Sequence, residues 1–262
     1  MPSVYSVADL HGRLDLFEAA LRTLPDAHLL ILGDVIDRGP HGLALVRRLL
    51  ELHEAGTVTL LRGNHEAMAE SGLRHYRRYQ QTRDLNAYKV AMARFSWWME
   101  NGGNALRKEA GFFSVETFPP ELVEYLSRLL PLAFVNEDGR VSAEPSGECV
   151  LAVHATPPKE HPDFPDPFTA ALWLRPHQGP FALPEGVRWS VHGHTPLRVA
   201  ARLGDQVYTD LGAVTTGRLC LVRLDAPDPS DVIVVQGRGD AKMASRLASL
   251  GVALTARTID VG

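Results

Sequence analysis

Sulfur is scarce in this chain. Two cysteines in 262 residues exclude a disulfide-stapled framework and a thiolate zinc site. Both, Cys149 and Cys220, stand in apolar runs (ECVLAVH and RLCLVRL), where buried free thiols are expected. No apolar stretch reaches the roughly 18 residues a membrane span needs. Neither sign of charge dominates: 27 Lys and Arg stand against 31 Asp and Glu, a formal net charge of −4. That balance gives no broad attraction to nucleic acid or to an anionic membrane. The opening MPSVYSVADLHG has no basic segment ahead of a long apolar stretch, so a soluble cytoplasmic protein is expected. No internal repeat and no flexible linker divides the chain. Hydrophobic residues make up 45% of it and charged residues 22%, an ordinary globular balance. At this length an α/β core needs no staple.

What is present is a rhythm of apolar runs that stop at Gly-containing turns. VYSVADLHG, HLLILGD and TVTLLRGNHE read as strands running into turns, separated by the helical spacings of RLDLFEAALRTL and GLALVRRLLELHEAG. Strand, helix, strand, helix, strand implies a parallel, covered sheet whose ligand site lies at the carboxyl ends of the strands. From about 67 to 111 a charged helical region follows, a cap-like segment. ELVEYLSRLLPLAFV reads as a helix entering a short strand, and PPKEHPDFPDPF as a surface loop. CVLAVHAT, VRWSVHGHTP, VYTDLGAV and RLCLVRL read as the strands of a second sheet. A C-terminal extension, about 225–262, reads as strand, helix, strand, packed on an outer face or serving an interface. The expectation is one domain over 1–262. Its class is α/β, two mixed sheets with helices outside both and metals at one rim.

Five short strings carry the chemistry: DLHG (Asp9–Gly12), GDVIDRGP (Gly33–Pro40), GNHE (Gly63–Glu66), VHAT (Val153–Thr156) and HGHTP (His192–Pro196). They supply carboxylate, amide oxygen and imidazole without thiolate. That donor set suits Mn, Fe or Zn. Asp9 and His11 are two apart at a strand end, so their side chains can point the same way. Asp34 closes the next strand and offers two oxygens, enough to bridge two ions.

These strings resemble the calcineurin-like metallophosphoesterases, and within them the small bacterial and phage type of serine/threonine phosphoprotein phosphatase. The likeness spans roughly Val4 to Leu224, with five motifs in the family's order. The resemblance implies that Asp9, His11 and Asp34 hold one divalent ion, and that Asp34, Asn64, His154 and His194 hold a second, manganese being favoured. It implies that Asp37 orients His65, the general acid, and that Arg38 binds phosphate oxygens. The Trp-x-Arg stretch in ALWLRPH implies a second phosphate arginine, Arg175. Two such ions lower the pKa of water for in-line attack on phosphorus, and no covalent phospho-enzyme is needed.

Other residues carry open readings. His192 shares HGHTP with His194 and is either a direct ligand or a group that orients one. Glu66 braces its loop. Gly102 and Gly103 in MENGGNAL serve backbone geometry, with Asn104 a further candidate beside them. Phe95, Trp97 and Trp98 read as packing. Arg74, His75, Arg77, Arg78 and Arg83 form either a solvated helix face or a basic rim for anionic substrate. The expected partner is a phosphoprotein substrate. The alternative is a nucleotide polyphosphate of the diadenosine tetraphosphate kind, or polyphosphate. A nuclease is disfavoured by the charge and by DRG, and an inactive scaffold by the complete ligand set.

Overall fold

The apolar runs of the N-terminal third are strands, and each ends where a motif begins. β1 (Val4–Val7), β2 (His28–Ile31) and β3 (Val58–Leu60) alternate with α1 (Leu14–Thr23) and α2 (Gly42–Glu54). The structure, a computed structural model, describes residues 1–261. The helices form because their apolar residues fall on one face. α1 buries Leu16, Phe17, Ala19 and Ala20, and α2 buries Leu45, Val46 and Leu49. Just beyond α2 stands Gly56, whose φ of 74° only glycine adopts freely, so the chain can turn into β3.

α3 (Asn64–Thr82) and α4 (Leu85–Trp98) form an antiparallel pair, broken at Arg83, which has φ 58°. A π-helical turn, Met99–Gly103, leads into α5 (Asn104–Glu109), and α6 is Pro120–Ser127. GNHE is therefore not a turn in full. Gly63 is the N-cap and Asn64, His65 and Glu66 open α3. The remainder runs β4 (Leu132–Asn136), β5 (Val141–Ser142), β6 (Cys149–Val153), α7 (Pro167–Ala170), β7 (Val187–His192), β8 (Ala201–Leu203), β9 (Gln206–Tyr208), α8 (Ala213–Thr216), β10 (Arg218–Arg223), β11 (Val232–Gln236), α9 (Ala241–Arg246), β12 (Val252–Ala253) and β13 (Arg257–Asp260).

Two mixed sheets result, in the orders β13-β11-β10-β1-β2-β3 and β12-β8-β9-β7-β6-β4-β5. β1, β2 and β3 are parallel, as are β6, β7 and β9. Three strand assignments change. RLCLVRL is β10 and pairs antiparallel with β1, in the first sheet rather than the second. VYTDLGAV is a strand only to Tyr208, after which the chain turns into α8. The tail does not merely lie on an outer face: β11 pairs with β10 inside the first sheet, β13 extends that sheet, and β12 adds to the edge of the second. Strand pairing between distant segments leaves no trace in local pattern, so these were not readable from the sequence.

Alternation sorts the side chains into layers. Tyr5, Val7, Leu29, Ile31 and Leu221 face α1–α6. Val4, Leu30, Val222 and Val234 face Val135, Val150, Ala152, Trp189 and Val191 of the second sheet. The outer face of that sheet, with Phe134, Leu151 and Val153, meets Ala171 just after α7. Helices thus flank both sheets, thickly on the first and thinly on the second. Both cysteines are buried and free.

Candidate dinuclear metal site

The carboxyl ends of β1, β2 and β3 in the first sheet and of β6 and β7 in the second deliver the motif residues. Asp9 follows β1 by two residues, Asp34 follows β2 by three, Asn64 follows β3 by four, His154 follows β6 directly and His194 follows β7 by two. The side chains converge for a reason other than strand alternation. Asp9, His11, Asp34, Asp37, Arg38 and His194 all have left-handed backbone, with φ of 45°, 41°, 50°, 74°, 63° and 62°. Such conformations cost on the order of 1–3 kcal/mol each, least for Asp and His. Other contacts hold them there. The His11 and Gly12 amides donate to the Asp34 and Val35 carbonyls at 2.9 and 2.8 Å, locking the first two loops together. The buried Glu66 carboxylate accepts from the amides of Gly63, Asp34 and Val35 at 2.8–2.9 Å, and from Ile36 at 3.4 Å. Glu66 thus clasps the loop after β2 to the start of α3.

Imidazole protons are fixed from behind. His11 Nδ1 lies 2.9 Å from the Ile36 carbonyl and His154 Nδ1 lies 2.8 Å from the Leu32 carbonyl. Those nitrogens must carry the protons, so each Nε2 keeps its lone pair. His154 Nε2 and His194 Nδ1 both face Asn64 Oδ1 at 2.9 Å, and His154 Nε2 lies 3.5 Å from Asp34 Oδ1. His11 Nε2 stands 3.6 Å from Asp34 Oδ2 and accepts from the Arg38 guanidinium at 2.9 Å. Burial pushes His11 and His194 down to about 3 and lowers His154 as well, which keeps the rings neutral. At His154 Nε2 and Asn64 Oδ1 two lone pairs meet without a proton between them, which a cation satisfies.

The charge balance says the same. Asp9, Asp34, Asp37, Glu66 and Asp210 are each at most 3% exposed, and among the described residues no buried lysine offsets them. Burial, then Asp210 and Asp34, push Asp9 well above the usual carboxylate range. Burial also raises Asp210, to about 6. Asp34 differs: burial would raise it, but His154, His65 and His11 together hold it low. Two groups of donors emerge, His11–Asp34–His65 and Asp34–His154–His194, with donor atoms within 4.8 Å of one another in each; the first contains His65, expected as the acid, and not Asp9, expected as a ligand. Both contain Asp34. The donors present fit two divalent ions.

His65 and Asp37 form a buried pair, with Nδ1 2.7 Å from Asp37 Oδ2. The His65 Nε2 faces Asp34 Oδ2 at 3.9 Å. Burial would lower His65, but Asp34 and Asp37 more than offset it and the imidazole is raised. Behind the pair, Trp98 Nε1–H donates to the same Asp37 oxygen at 2.7 Å. Arg38 and Arg175 are both exposed and line one cleft of about 380 Å³ with Asp34, Asn64, His65 and His194. The Gly102 carbonyl accepts from the Arg38 amide at 3.1 Å. A Cβ on Gly102 would stand 2.9 Å from Arg38 Cγ, and its φ is 121°. Asn101, not Asn104, lines the cleft.

The calcineurin-like phosphoesterase family profile matches residues 2–198. The chain belongs to that family. As a metallophosphoesterase it is a hydrolase of phosphate esters that uses divalent metal ions. It is 28% identical over 237 residues to serine/threonine-protein phosphatase 1 of Salmonella typhimurium, which covers 84% of this chain and 91% of that one. It is 24% identical over 233 residues to serine/threonine-protein phosphatase 2 of Escherichia coli, covering 84% and 92%. A shorter likeness, 40% over 68 residues, links it to a symmetrical bis(5'-nucleosyl)-tetraphosphatase of Acidovorax ebreus, covering 24% of each chain. Among solved structures, a serine/threonine phosphatase from Saccharomyces cerevisiae superposes with TM-score 0.53 at 14% identity, over 84% of this chain and 72% of that one.

Within this metallophosphoesterase, His192 points away from the ligand cluster. The strand ends between His192 and His194, so the two do not share a face. His192 Nε2 meets Ser190 Oγ at 2.7 Å, and Nδ1 meets the Val153 carbonyl at 3.2 Å. With both ring nitrogens engaged it steadies the residue before His154 rather than joining the ligands. Phe95 and Trp98 pack as read, against Phe113 and Phe118, but Trp97 is 37% exposed and stacks on Trp173 at 5.7 Å. Sequence reasoning missed Asp210, whose carboxyl hydrogen-bonds Asp9. Its signal was available, because it follows β9 by two residues, as Asp9 follows β1. The Trp98 contact to Asp37 had no such signal.

Proposed function

We propose that this chain dephosphorylates phosphoserine and phosphothreonine in proteins, with manganese the favoured metal. The observation that carries the reading is the shared Asp34 carboxylate, common to two ligand groups and faced by the His65–Asp37 pair. Asp9, His11 and Asp34 would hold one ion, and Asp34, Asn64, His154 and His194 the other. Divalent ions bound there would supply the charge that lowers the pKa of water and neutralises phosphate oxygens. Arg38 and Arg175 grip the phosphoryl oxygens from the cleft side, and a guanidinium matches such oxygens bidentately. His65, oriented by Asp37, gives its Nε2 proton to the departing oxygen. Asp210 positions Asp9 through their hydrogen bond. The chain works as one unit in this reading. Residues of the 67–111 region wall the cleft, and the segment from about 225 completes the edges of both sheets. Two buried free thiols fit a cytoplasmic setting.

Protein substrates are supported by the extent of the likenesses. In sequence, two protein phosphatases align over 84% of this chain, whereas the tetraphosphatase alignment covers 24%; in fold, a diadenosine tetraphosphatase also superposes, over 92%. That local likeness, together with the arginines of α3, favours hydrolysis of dinucleoside polyphosphate or polyphosphate as the second reading. The test is a side-by-side assay of a phosphothreonine peptide, diadenosine tetraphosphate and polyphosphate with manganese-loaded protein. Elemental analysis of the same preparation gives the metal content. The proposal expects two ions per chain and the highest kcat/KM on the peptide. A higher kcat/KM on the tetraphosphate, or full activity with less than one ion per chain, overturns it.

A further inference from the structure

Beside the catalytic cleft lies a second groove of about 510 Å³, and the two share Met68 and Trp173 as a common wall. Its floor is apolar, with Met68, Leu172, Phe164 and the stacked pair Trp97–Trp173. Its rim is basic. Arg74 of α3 and Arg94 of α4 both line it and both are exposed. Arg62 lines it too, but is tied to Glu70 at 3.3 Å. Arg74 and Arg94 make no salt bridge among the described residues. Their charges act on common ground: the nearby His75 imidazole is lowered by burial, then by Arg74, Arg94 and Arg78. The Trp97 ring already carries Trp173 against it and the Arg94 guanidinium 5.9 Å from its centroid. It therefore presents little open face on which a nucleobase could stack.

We propose that this groove reads the polypeptide next to the phosphorylated residue, taking an apolar side chain on its floor and an acidic side chain between Arg74 and Arg94. The inference rests on the protein-phosphatase reading above. It follows from continuity, since a chain leaving the cleft past Met68 and Trp173 enters the groove, and from charge, since two unpaired guanidinium groups flank an apolar floor. Exposed pairs are individually weak and screened by salt. Their effect is therefore one of selection among peptides rather than of catalytic power.

The experiment uses phosphothreonine peptides of one length carrying Leu-Asp, Ala-Ala or Leu-Lys beside the phosphothreonine, on either side. Nitrophenyl phosphate and diadenosine tetraphosphate serve as controls. The proteins are wild type, Arg74→Ala/Arg94→Ala and Trp97→Ala. Cleavage is measured on manganese-loaded protein. Peptide binding is measured separately by fluorescence anisotropy on metal-stripped protein, where no turnover intervenes. At low salt wild type should favour the Leu-Asp peptide over Leu-Lys by about three- to ten-fold in Kd and in kcat/KM. The double variant should lose that preference while keeping its turnover of nitrophenyl phosphate. Trp97→Ala should weaken both Leu peptides and leave Ala-Ala unchanged. Peptide cleavage without an acidic preference, or a preference that survives the double variant, overturns this inference and leaves the phosphatase reading standing. Cleavage of nitrophenyl phosphate and the tetraphosphate but of no peptide overturns both.

Discussion

Replacing Asp37 with Asn removes a charge from the site while leaving its shape. Asp37 Oδ2 accepts from His65 Nδ1 and Trp98 Nε1, both at 2.7 Å, whereas Oδ1 is buried without a hydrogen-bond partner. An Asn carbonyl oxygen can take the Oδ2 place and accept both N–H groups, so His65 keeps its tautomer. A hydrogen bond to a charged group contributes about 1.5–3 kcal/mol. At about 1.4 kcal/mol per decade, the loss in rate is about 10–150-fold. His65→Asn removes the acid itself and should cost about 10²–10⁴-fold. Trp98→Phe leaves the His65–Asp37 bond in place and removes only one donor behind it, so a smaller loss of roughly five-fold is expected, together with some loss of core stability. The order should be His65, then Asp37, then Trp98. All three losses should be larger for an alkyl phosphate, whose leaving oxygen needs a proton, than for nitrophenyl phosphate. The assay is kcat/KM on both substrates, with elemental analysis of each variant to show that both metals stay. Equal losses on the two substrates, with metals retained, would refute the acid role. Loss of metal in Asp37→Asn would show that Asp37 supports the ligands instead.

The remaining expectations concern phosphate, metal and thiols. Arg38→Ala and Arg175→Ala should each weaken phosphate inhibition without metal loss, and Lys should rescue poorly at Arg38 because it lacks the planar fork; wild-type behaviour of Arg175→Ala would place the second clamp elsewhere. In Gly193→Ala the new methyl collides with Asp9 Oδ1, so metal titration should show a roughly 10–100-fold weaker affinity for one ion. Unchanged affinity would remove Asp9 from the ligands. Burial raises the Cys149 thiol and pushes Cys220 up to about 12, so neither should react with Ellman's reagent at pH 8 until urea is added. Rapid labelling of the folded protein would show that one of them is accessible.

Much of the site was legible before any coordinates, because its chemistry is written in short strings. Asp9, His11, Asp34, Asn64, His154 and His194 each lie within a few residues of an apolar run, and in a parallel sheet strand ends share a rim. The family resemblance, not the strand ends, gave the roles of His65, Asp37 and Arg38; Arg38, His65 and Arg175 line one cleft, and Asp37 is buried against His65. Local sequence also determined the first three strands and their helices, since hydrophobic period is a property of neighbours in the chain.

The tertiary structure decided what depends on partners far apart in sequence. β10 and β11 joined the first sheet because their apolar faces complete its two surfaces, a choice that pairing across more than two hundred residues makes. Asp210 reached Asp9, and Trp98 reached Asp37, only when α4 and the loop after β9 had packed. His192 turned from the ligands because its strand stops there, before His194. The left-handed turns at Asp9, His11, Asp34, Asp37, Arg38 and His194 belong to this class too. No local preference asks for six such residues, and the clasp of Glu66 with the cross-loop amides holds part of that strained backbone in place. The sequence determined which ligand atoms are available, and packing between distant segments determined how they face one another.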